Sequence, residues 1–207
     1  MPIMVVASAI TSLVRPFMPS AANTGFQLVG PPSIAKSTLL FLAQSVTRSP
    51  TDPAGMPSSI TLSQFLSDPL RRTDPFHDHF LPIDDVALER FAGSTAKQKQ
   101  SVTAFADQLL TGRLSDDVTV AHRFAFALAG NSSLAEQRSS VATPANCRIP
   151  TIRIDPPREY GVSDKLPEGV GNSSDFADAL KRGAAENFGH VRNRMIKRLL
   201  HENPATV

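Results

Sequence analysis

Apolar residues along the chain follow two different spacings, which predict helices alternating with strands. Near the start, apolar positions recur at steps of three or four and predict a helix over residues 5–15 that Pro16 ends. Short unbroken apolar runs instead predict buried strands, and they lead to Gly30, Asp84 and Asn131. Helical stretches separate these runs. The pattern therefore predicts an α/β fold, in which helices flank a mostly parallel sheet in three layers.

The same spacings predict the remaining elements. Residues 59–62 are a weak strand candidate, residues 63–70 form one or two helical turns, and residues 148–154 form a last strand. A helix is predicted from an N-cap at Ser94 to about Leu110, with Gly112 after its end. Beyond residue 175, apolar residues at steps of three or four predict either one long helix or two helices joined at Gly189.

Composition is typical of a small globular protein. The 207 residues suffice for one domain with a sizeable core, and 41% of them are hydrophobic. Within this domain we expect an N-terminal helix and linker over residues 1–25, a core over 26–154, and a C-terminal loop and helix over 155–207. The net charge of +2 is too small to indicate nucleic-acid binding by itself.

Two features favour a cytoplasmic protein. The single cysteine, Cys147, excludes an internal disulfide and fits a reducing compartment. No apolar run reaches the ~18 residues of a membrane span, and no basic residue precedes the apolar N-terminal stretch as it would in a signal peptide. We therefore expect a cytoplasmic location and no membrane association.

Residues 26–42, FQLVGPPSIAKSTLLFL, combine a short apolar strand, a turn and an apolar helix. The turn matches the phosphate loop G-x-x-x-x-G-K-[ST], except that Ala35 stands at the second glycine. Such a loop surrounds phosphates with backbone N–H groups at a helix N-terminus. We expect ATP to bind here, with Lys36 at its β- and γ-phosphates and the Ser37 hydroxyl on Mg²⁺. The predicted binding residues are Gly30, Pro31, Pro32, Ser33, Ile34, Ala35, Lys36, Ser37 and Thr38.

The alternative is a Gly-Pro-Pro turn that binds nothing, since such turns also precede helices without a ligand. The strand before Gly30 and the unbroken helix after Lys36 favour the phosphate loop, because the motif requires this context. Ala35 argues against it, because a Cβ can crowd a position that favours glycine. The loop also resembles the G-P-P-G-I-A-K-S loop of the MoxR branch of AAA+ ATPases, which implies that the alanine need not abolish binding.

A second motif follows the loop by about fifty residues, where the apolar run FLPI leads into Asp84 and Asp85. Two carboxylates at a strand end are similar to a Walker B motif. Asp84 would hold Mg²⁺ through its water shell, and Asp85 would act as the general base on the attacking water. Alternatively, the pair only ends the strand in a solvated turn. Pro82 is unusual in a central strand because it lacks an N–H, and Asp85 is one methylene shorter than the more usual glutamate.

The other polar candidates each have two interpretations. Asn131 follows the apolar run 124–130 and is either a turn residue or a polar group of the site. Arg113, Arg148 and Arg153 are either solvated, or one of them reaches a neighbouring subunit's site. Basic residues in the last helical region predict a solvated face, with a nucleic-acid contact as the alternative, although no aromatic stacking platform accompanies them; they are Lys181, Arg182, Arg192, Arg194, Lys197 and Arg198.

Four segments in order give the chain a resemblance to the P-loop ATPases labelled domain of unknown function 927, which are helicase-like or primase-associated proteins of phages and mobile elements. The segments are GFQLVGPPSIAKSTLLFLAQSV, HDHFLPIDDVAL, FALAGNSSLAE and SSDFADALKRGAAENFG. The resemblance covers roughly residues 5–190, and the loop is its sharpest motif. Ala35 and Asp85 are the departures. By this resemblance the chain is expected to be a fragment or a trimmed relative.

The resemblance implies that Asn131 is a polar sensor that helps to orient the attacking water. It also implies a homo-oligomer, with a ring as one form, and action on DNA. We therefore expect an ATPase whose catalytic residues are Lys36, Asp85 and Asn131 and whose metal ligands are Ser37 and Asp84. The alternative is a non-hydrolysing nucleotide-binding or structural module, because the departures at Ala35 and Asp85 affect catalysis more than binding.

Overall fold

The computed structural model describes residues 2–18, 22–50, 59–87, 95–114, 121–134, 149–154 and 165–201. The helices are α1 (Pro2–Ser12), α2 (Lys36–Ser45), α3 (Leu62–Ser67), α4 (Pro69–Thr73), α5 (Thr95–Thr111), α6 (Ser173–Glu186) and α7 (His190–His201). Short 3₁₀ turns cover Arg15–Phe17 and Asp74–Phe76. The strands are β1 (Thr24–Val29), β2 (Ile60–Thr61), β3 (His79–Asp84), β4 (Phe124–Gly130) and β5 (Thr151–Arg153).

The five strands form one parallel sheet in the order β2-β3-β4-β1-β5. Helices α1 and α2 cover one face, and α3 and α5 cover the other. The predicted α/β fold with a sheet between two helical layers is therefore confirmed. Because all strands run the same way, the loops that follow β1, β3 and β4 emerge at one edge of the sheet.

Strand β4 shows how residue size sets the spacing of the layers. Its large side chains Phe124, Phe126 and Leu128 belong to the core cluster with α3 and α5. Its alternate residues Ala125, Ala127 and Ala129 face the cluster formed with α1 and α2, because successive side chains of a strand point to opposite faces. All six are buried. The small alanines let α1 and α2 lie close to the sheet. This close packing sets the position of the first turn of α2 relative to the sheet.

Helix α1 differs from its predicted range of 5–15, since it begins at Pro2 and ends at Ser12. Pro16 accounts for this end, because its ring would clash with the carbonyl four residues earlier, which belongs to Ser12. The chain continues instead as the 3₁₀ turn Arg15–Phe17. Buried Val5 and Ala9 pack α1 against the sheet beside α2. The apolar spacing had predicted the neighbouring Val6 and Ile10 for this face, and both are only partly buried.

Two strand boundaries were also wrong. Strand β1 begins at Thr24 rather than Phe26. The strand can extend through Gly25 because glycine has no Cβ: a Cβ at this position would lie 2.4 Å from the Phe126 ring. Strand β5 covers only Thr151–Arg153 of the predicted range 148–154. Pro150 has no N–H to donate to the sheet, although its carbonyl accepts a hydrogen bond from Gln27 N at 2.9 Å. Ser94, Cys147 and Arg148 lie outside the described residues.

The proline inside β3 occupies a tolerant position. Pro82 pairs in register with Ala127 of β4, whereas β2 pairs only with Ile83 and Asp84. Within the described residues, Pro82 is thus paired on one side only, which is where a strand tolerates proline most readily.

The C-terminal helical region consists of two helices, so the second of the two predicted alternatives is confirmed. They separate at Gly189, whose φ of +71° suits a residue without a Cβ. The Gly189 N–H donates to the Ser45 carbonyl at 2.8 Å, which attaches the junction to the end of α2. From there α6 packs along α2, with Ala184 buried between them.

Candidate functional site

Three loops meet at the carboxyl edge of the sheet and enclose a cavity of ≈ 680 Å³. They follow β1, β3 and β4, which is the arrangement expected of neighbouring parallel strands. The predicted site residues that line the cavity are Pro32, Ser33, Ala35, Lys36, Ser37, Thr38, Asp84, Asp85 and Asn131. Cavities of this size accommodate cofactors and small-molecule substrates.

Three predicted loop residues support the cavity without lining it. The carbonyls of Gly30 and Pro31 accept hydrogen bonds from Lys36. Ile34 is buried against Gly30, where an added Cβ would lie 2.8 Å from the Ile34 side chain and 2.9 Å from the Ile154 carbonyl. Gly30 is therefore required by close packing at the start of the loop.

Lys36 is the buried cation of the site, with only 8% of the residue exposed. Its ammonium donates to the Gly30 carbonyl at 2.8 Å, to the Pro31 carbonyl at 2.7 Å, and to Asn131 Oδ1 at 3.5 Å. Burial lowers the pKa of Lys36, while the Asp84 carboxylate raises it. A buried ammonium held by neutral carbonyls and one amide offers a strong interaction to any anion that enters the cavity.

The loop backbone before α2 is left-handed at two residues. Ser33 has a φ of +62°, and Ala35, the residue before the first turn of α2, has a φ of +67°. The Ala35 carbonyl still accepts the helical hydrogen bond from Leu39 N at 3.1 Å. Alanine therefore adopts the conformation that the motif assigns to glycine, at a cost of about 1–2 kcal/mol.

The two carboxylates at the end of β3 line the same cavity as the loop. Asp84 Oδ1 accepts from the Asp85 N–H at 2.9 Å, and Asp85 is exposed with a φ of +51°. Ser37 and Asp84 also border a smaller cavity of ≈ 310 Å³, so a hydroxyl and a carboxylate meet at the junction of the two spaces. These hard oxygen donors fit Mg²⁺, which is usually held by one or two protein oxygens together with phosphates and waters.

Asn131 is positioned by the tip of β4. Gly130 precedes it in a narrow space, where an added Cβ would lie 2.7 Å from the Val86 carbonyl. The bond from Lys36 brings the Asn131 amide to the loop, so the structure joins the phosphate-loop lysine and the predicted sensor in one contact.

Helix α6 contributes Ser173, Ser174 and Ala177 to the same cavity, which the sequence did not predict. Its first turn is capped by Asn172, whose Oδ1 accepts from the Asp175 N–H at 2.9 Å. The sequence N-S-S-D is a recognisable helix start, but no sequence pattern reveals what a capped helix lies against. The cavity thus lies at the N-terminal ends of both α2 and α6, where helix dipoles favour negative charge.

Arg113 is far from this cavity in its own chain. It follows α5, whose end is attached to the amino edge of the sheet by hydrogen bonds from Asn23 N to the Leu110 carbonyl and from His122 N to the Gly112 carbonyl. That edge is opposite to the one bearing the loops. Among the predicted arginines, Arg153 lies on β5.

The amino edge carries a separate polar cluster. Arg123 donates to both carboxylate oxygens of Asp78 at 2.8 and 2.9 Å, and the His77 and His122 rings meet edge to face at 5.1 Å. In the described part of the chain, no group of three His, Cys, Asp or Glu residues is arranged to hold a metal ion. Among the described helices, none combines the length and apolar character that crossing a membrane requires.

No protein-family model and no curated protein matches the sequence. A solved structure titled "SCCmec type IV Cch - active helicase" is similar, with a TM-score of 0.61 and 18% sequence identity over 97% of this chain. The match covers 34% of the helicase chain, so this chain spans about one third of that length. The likeness shows a shared fold, a parallel sheet between two layers of helices, and the resemblance to the domain of unknown function 927 family stays a prediction.

Proposed function

We propose that this chain is a helicase-like P-loop ATPase module that binds ATP and Mg²⁺ in the ≈ 680 Å³ cavity. The observation that carries the proposal is the buried ammonium of Lys36, the first residue of α2, which donates to loop carbonyls in a cavity that two carboxylates also line. An uncompensated buried cation costs several kcal/mol, so a site that maintains one is suited to an anionic ligand.

Each residue would have a distinct task. The loop N–H groups and Lys36 would bind the phosphates, and the N-terminal end of α2 would add its partial positive charge. Ser37 and Asp84 would hold Mg²⁺, which when bound would neutralise charge on the phosphate oxygens. Asp85 would take the proton of the attacking water, and Asn131 would orient that water after nucleotide phosphates draw Lys36 away from its oxygen.

The proposal includes partners that the sequence resemblance implies, and the likeness to a helicase structure supports the expectation of DNA. We infer that the module acts on DNA and works as a homo-oligomer, in which Arg113 or Arg148 of one copy would serve the site of its neighbour. The position of Arg113 at the far edge of its own sheet supports a role outside its own cavity.

A second candidate is a module that binds nucleotide without hydrolysing it. The exposed carboxylate of Asp85, one methylene shorter than glutamate and held on a left-handed backbone, favours this candidate. The two functions differ in how turnover depends on Asp85.

Turnover of ATP in the presence of Mg²⁺ tests which function is correct. For the ATPase, Asp85→Asn should lower kcat by roughly 10²–10⁴-fold, the range of general base catalysis, while the affinity for ATP stays within a few fold. Asp175→Asn, which changes a carboxylate on α6 outside the cavity lining, is the matched control and should keep full turnover. Tight ATP binding by the wild type with turnover equal to that of Asp85→Asn would identify the non-hydrolysing module.

A further inference from the structure

The smaller cavity of ≈ 310 Å³ adjoins the cavity proposed for ATP. Ser37 and Asp84, the proposed metal ligands, line both spaces. Phe41 of α2, Ser59 and Lys181 of α6 complete the lining of the smaller one. Lys181 is thus a cation beside the proposed metal ligands, and it comes from a helix outside the phosphate loop.

One face of α6 runs alongside both cavities. Ser174 and Ala177 line the larger cavity, and Lys181 lines the smaller one. These residues follow each other at steps of three and four, so they lie on the same face of the helix. The helix packs along α2, and the Gly189 N–H attaches the junction beyond it to the Ser45 carbonyl at the end of α2. Lys181 is therefore placed on the cavity side of a helix that is fixed against the one carrying the loop.

The ammonium of Lys181 is held weakly by its own helix. Its ion pair with Asp178 joins Nζ and Oδ1 at 3.9 Å, and the two side chains are 45% and 67% exposed. Surface pairs of this kind contribute little to stability, because water screens them and two flexible side chains must be ordered. Lysine carries its charge on a long flexible stem, so the ammonium can leave Asp178 for an anion of higher charge.

The proposed ligand brings more negative charge than Lys36 can offset. A nucleoside triphosphate stays anionic after it binds one Mg²⁺, and the carboxylates of Asp84 and Asp85 line the same cavity. Among the described residues that line the larger cavity, Lys36 is the one cation. A second cation beside the metal ligands would offset the charge that remains, because opposite charges attract more strongly where water is partly excluded.

We propose that Lys181 is a second phosphate-binding cation, which contacts the terminal phosphate of a bound nucleoside triphosphate from the side of α6. The metal ion of such sites bridges the β- and γ-phosphates, so the space beside Ser37 and Asp84 lies at the terminal end of the phosphate chain. Lys181 would consequently make the site prefer a triphosphate to a diphosphate. This inference rests on the proposed function and gives α6 a role in recognising the ligand.

The test compares the affinities for AMP-PNP, a non-hydrolysable ATP analogue, and for ADP, both measured with Mg²⁺ by isothermal titration calorimetry. Lys181→Gln should weaken AMP-PNP binding by about tenfold, the loss expected for one charge-assisted contact, and ADP binding by less than about twofold. Lys181→Arg keeps the charge and should bind AMP-PNP within about threefold of the wild type. The ratio of the two affinities is the readout, because a general disturbance of the site would weaken both nucleotides alike.

Two variants on the same helix separate contact with the phosphate from other effects. Arg182→Gln removes the neighbouring exposed cation, which lines neither cavity, and it should leave both affinities unchanged. Asp178→Asn removes the ion-pair partner of Lys181 but keeps the lysine charge, so AMP-PNP should bind at least as tightly as it does to the wild type.

Three outcomes would overturn the inference and leave nucleotide binding by Lys36 and the loop in place. Equal ratios of AMP-PNP to ADP affinity in Lys181→Gln and the wild type would show that Lys181 does not contact the terminal phosphate. An equal loss in Asp178→Asn would mean that the ion pair only positions α6, and an equal loss in Arg182→Gln would mean that charge acts at long range. A folded wild type that binds neither nucleotide would instead contradict the proposed function, and this inference with it.

Discussion

At the scale of single residues, backbone strain is concentrated around the ≈ 680 Å³ cavity where we propose that ATP binds. Ser33, Ala35 and Asp85 all have positive φ values, and all three line the cavity. Each such residue costs of order 1 kcal/mol or more, and such strain persists where the surrounding structure fixes the backbone. The loop thus maintains its conformation at the expense of stability, and Ala35 is the clearest case because its side chain cannot offset the cost with a hydrogen bond.

Ala35→Gly should therefore increase the free energy of unfolding by about 0.5–1 kcal/mol. Relief of the left-handed strain stabilises the folded state by about 1–2 kcal/mol. The greater conformational freedom of glycine stabilises the unfolded chain by about 0.5–1 kcal/mol and offsets part of this gain. Urea denaturation followed by circular dichroism measures the change.

The control for this variant is Ala179→Gly, at an exposed interior position of α6. There the same substitution should decrease the free energy of unfolding by about 1 kcal/mol, because helical alanine has no strain to relieve. If both variants were destabilised alike, Ala35 would not be strained.

At the scale of elements, β4 sets the position of the loop through the alanines that it turns toward α1 and α2. Ala125, Ala127 and Ala129 allow close packing of α2, whose first residue is Lys36. A larger side chain on this face would push α2 away from the sheet and displace the loop with it.

Ala127→Leu should cost about 1–3 kcal/mol of stability by overpacking and should also weaken ATP binding, because the loop moves with α2. Isothermal titration with ATP and urea denaturation measure the two effects. Leu128→Ile is the control on the other face of β4, where a volume-conserving change should cost at most about 1.5 kcal/mol and leave ATP affinity intact. Unchanged ATP affinity in folded Ala127→Leu would show that the layer spacing does not position the loop.

At the scale of the whole molecule, the two edges of the sheet have different chemistry. The carboxyl edge bears the ≈ 680 Å³ cavity proposed for ATP, and the amino edge bears histidines among arginines. Burial lowers the pKa of His79, and the nearby charges of Arg192 and Arg48 lower it further. The pKa of His122 is also lowered, mainly by burial and to a smaller extent by the neighbouring His77. Both histidines are therefore neutral in the folded protein at a pH where the unfolded chain already takes up protons.

The free energy of unfolding should consequently decrease as the pH falls below about 6.5, the ordinary histidine pKa, and level off below the lowered pKa values of the folded state. Above about 6.5 these two groups are neutral in both states and should have no effect. Urea denaturation over a pH series measures the slope. His122→Gln should flatten it, because one of the two groups with a lowered pKa is removed. Equal slopes for His122→Gln and the wild type would contradict the assignment.

The features that could be predicted from the sequence are those that depend on neighbouring residues in the chain. The strand, loop and helix around Lys36, the strand before Asp84 and the apolar strand before Asn131 all follow from short-range patterns, and parallel strands bring their ends together. The placement of α6 at the cavity, and with it of Lys181 beside the proposed metal ligands, could not be predicted, because it depends on packing between segments far apart in the chain. The left-handed backbone at Ala35 could be anticipated only from its place at the second glycine of the motif, since alanine itself gives no signal of positive φ.

The central claim is that the buried Lys36 belongs to a nucleotide site, and isothermal titration of the purified protein with ATP and Mg²⁺ tests it most directly. The wild type should bind one ATP per chain, and Lys36→Ala should lose at least about 100-fold in affinity, because a buried charge contact of about 3 kcal/mol is removed. Lys165→Ala should bind like the wild type. Equal ATP affinity in Lys36→Ala and the wild type, with both proteins folded, would contradict the account.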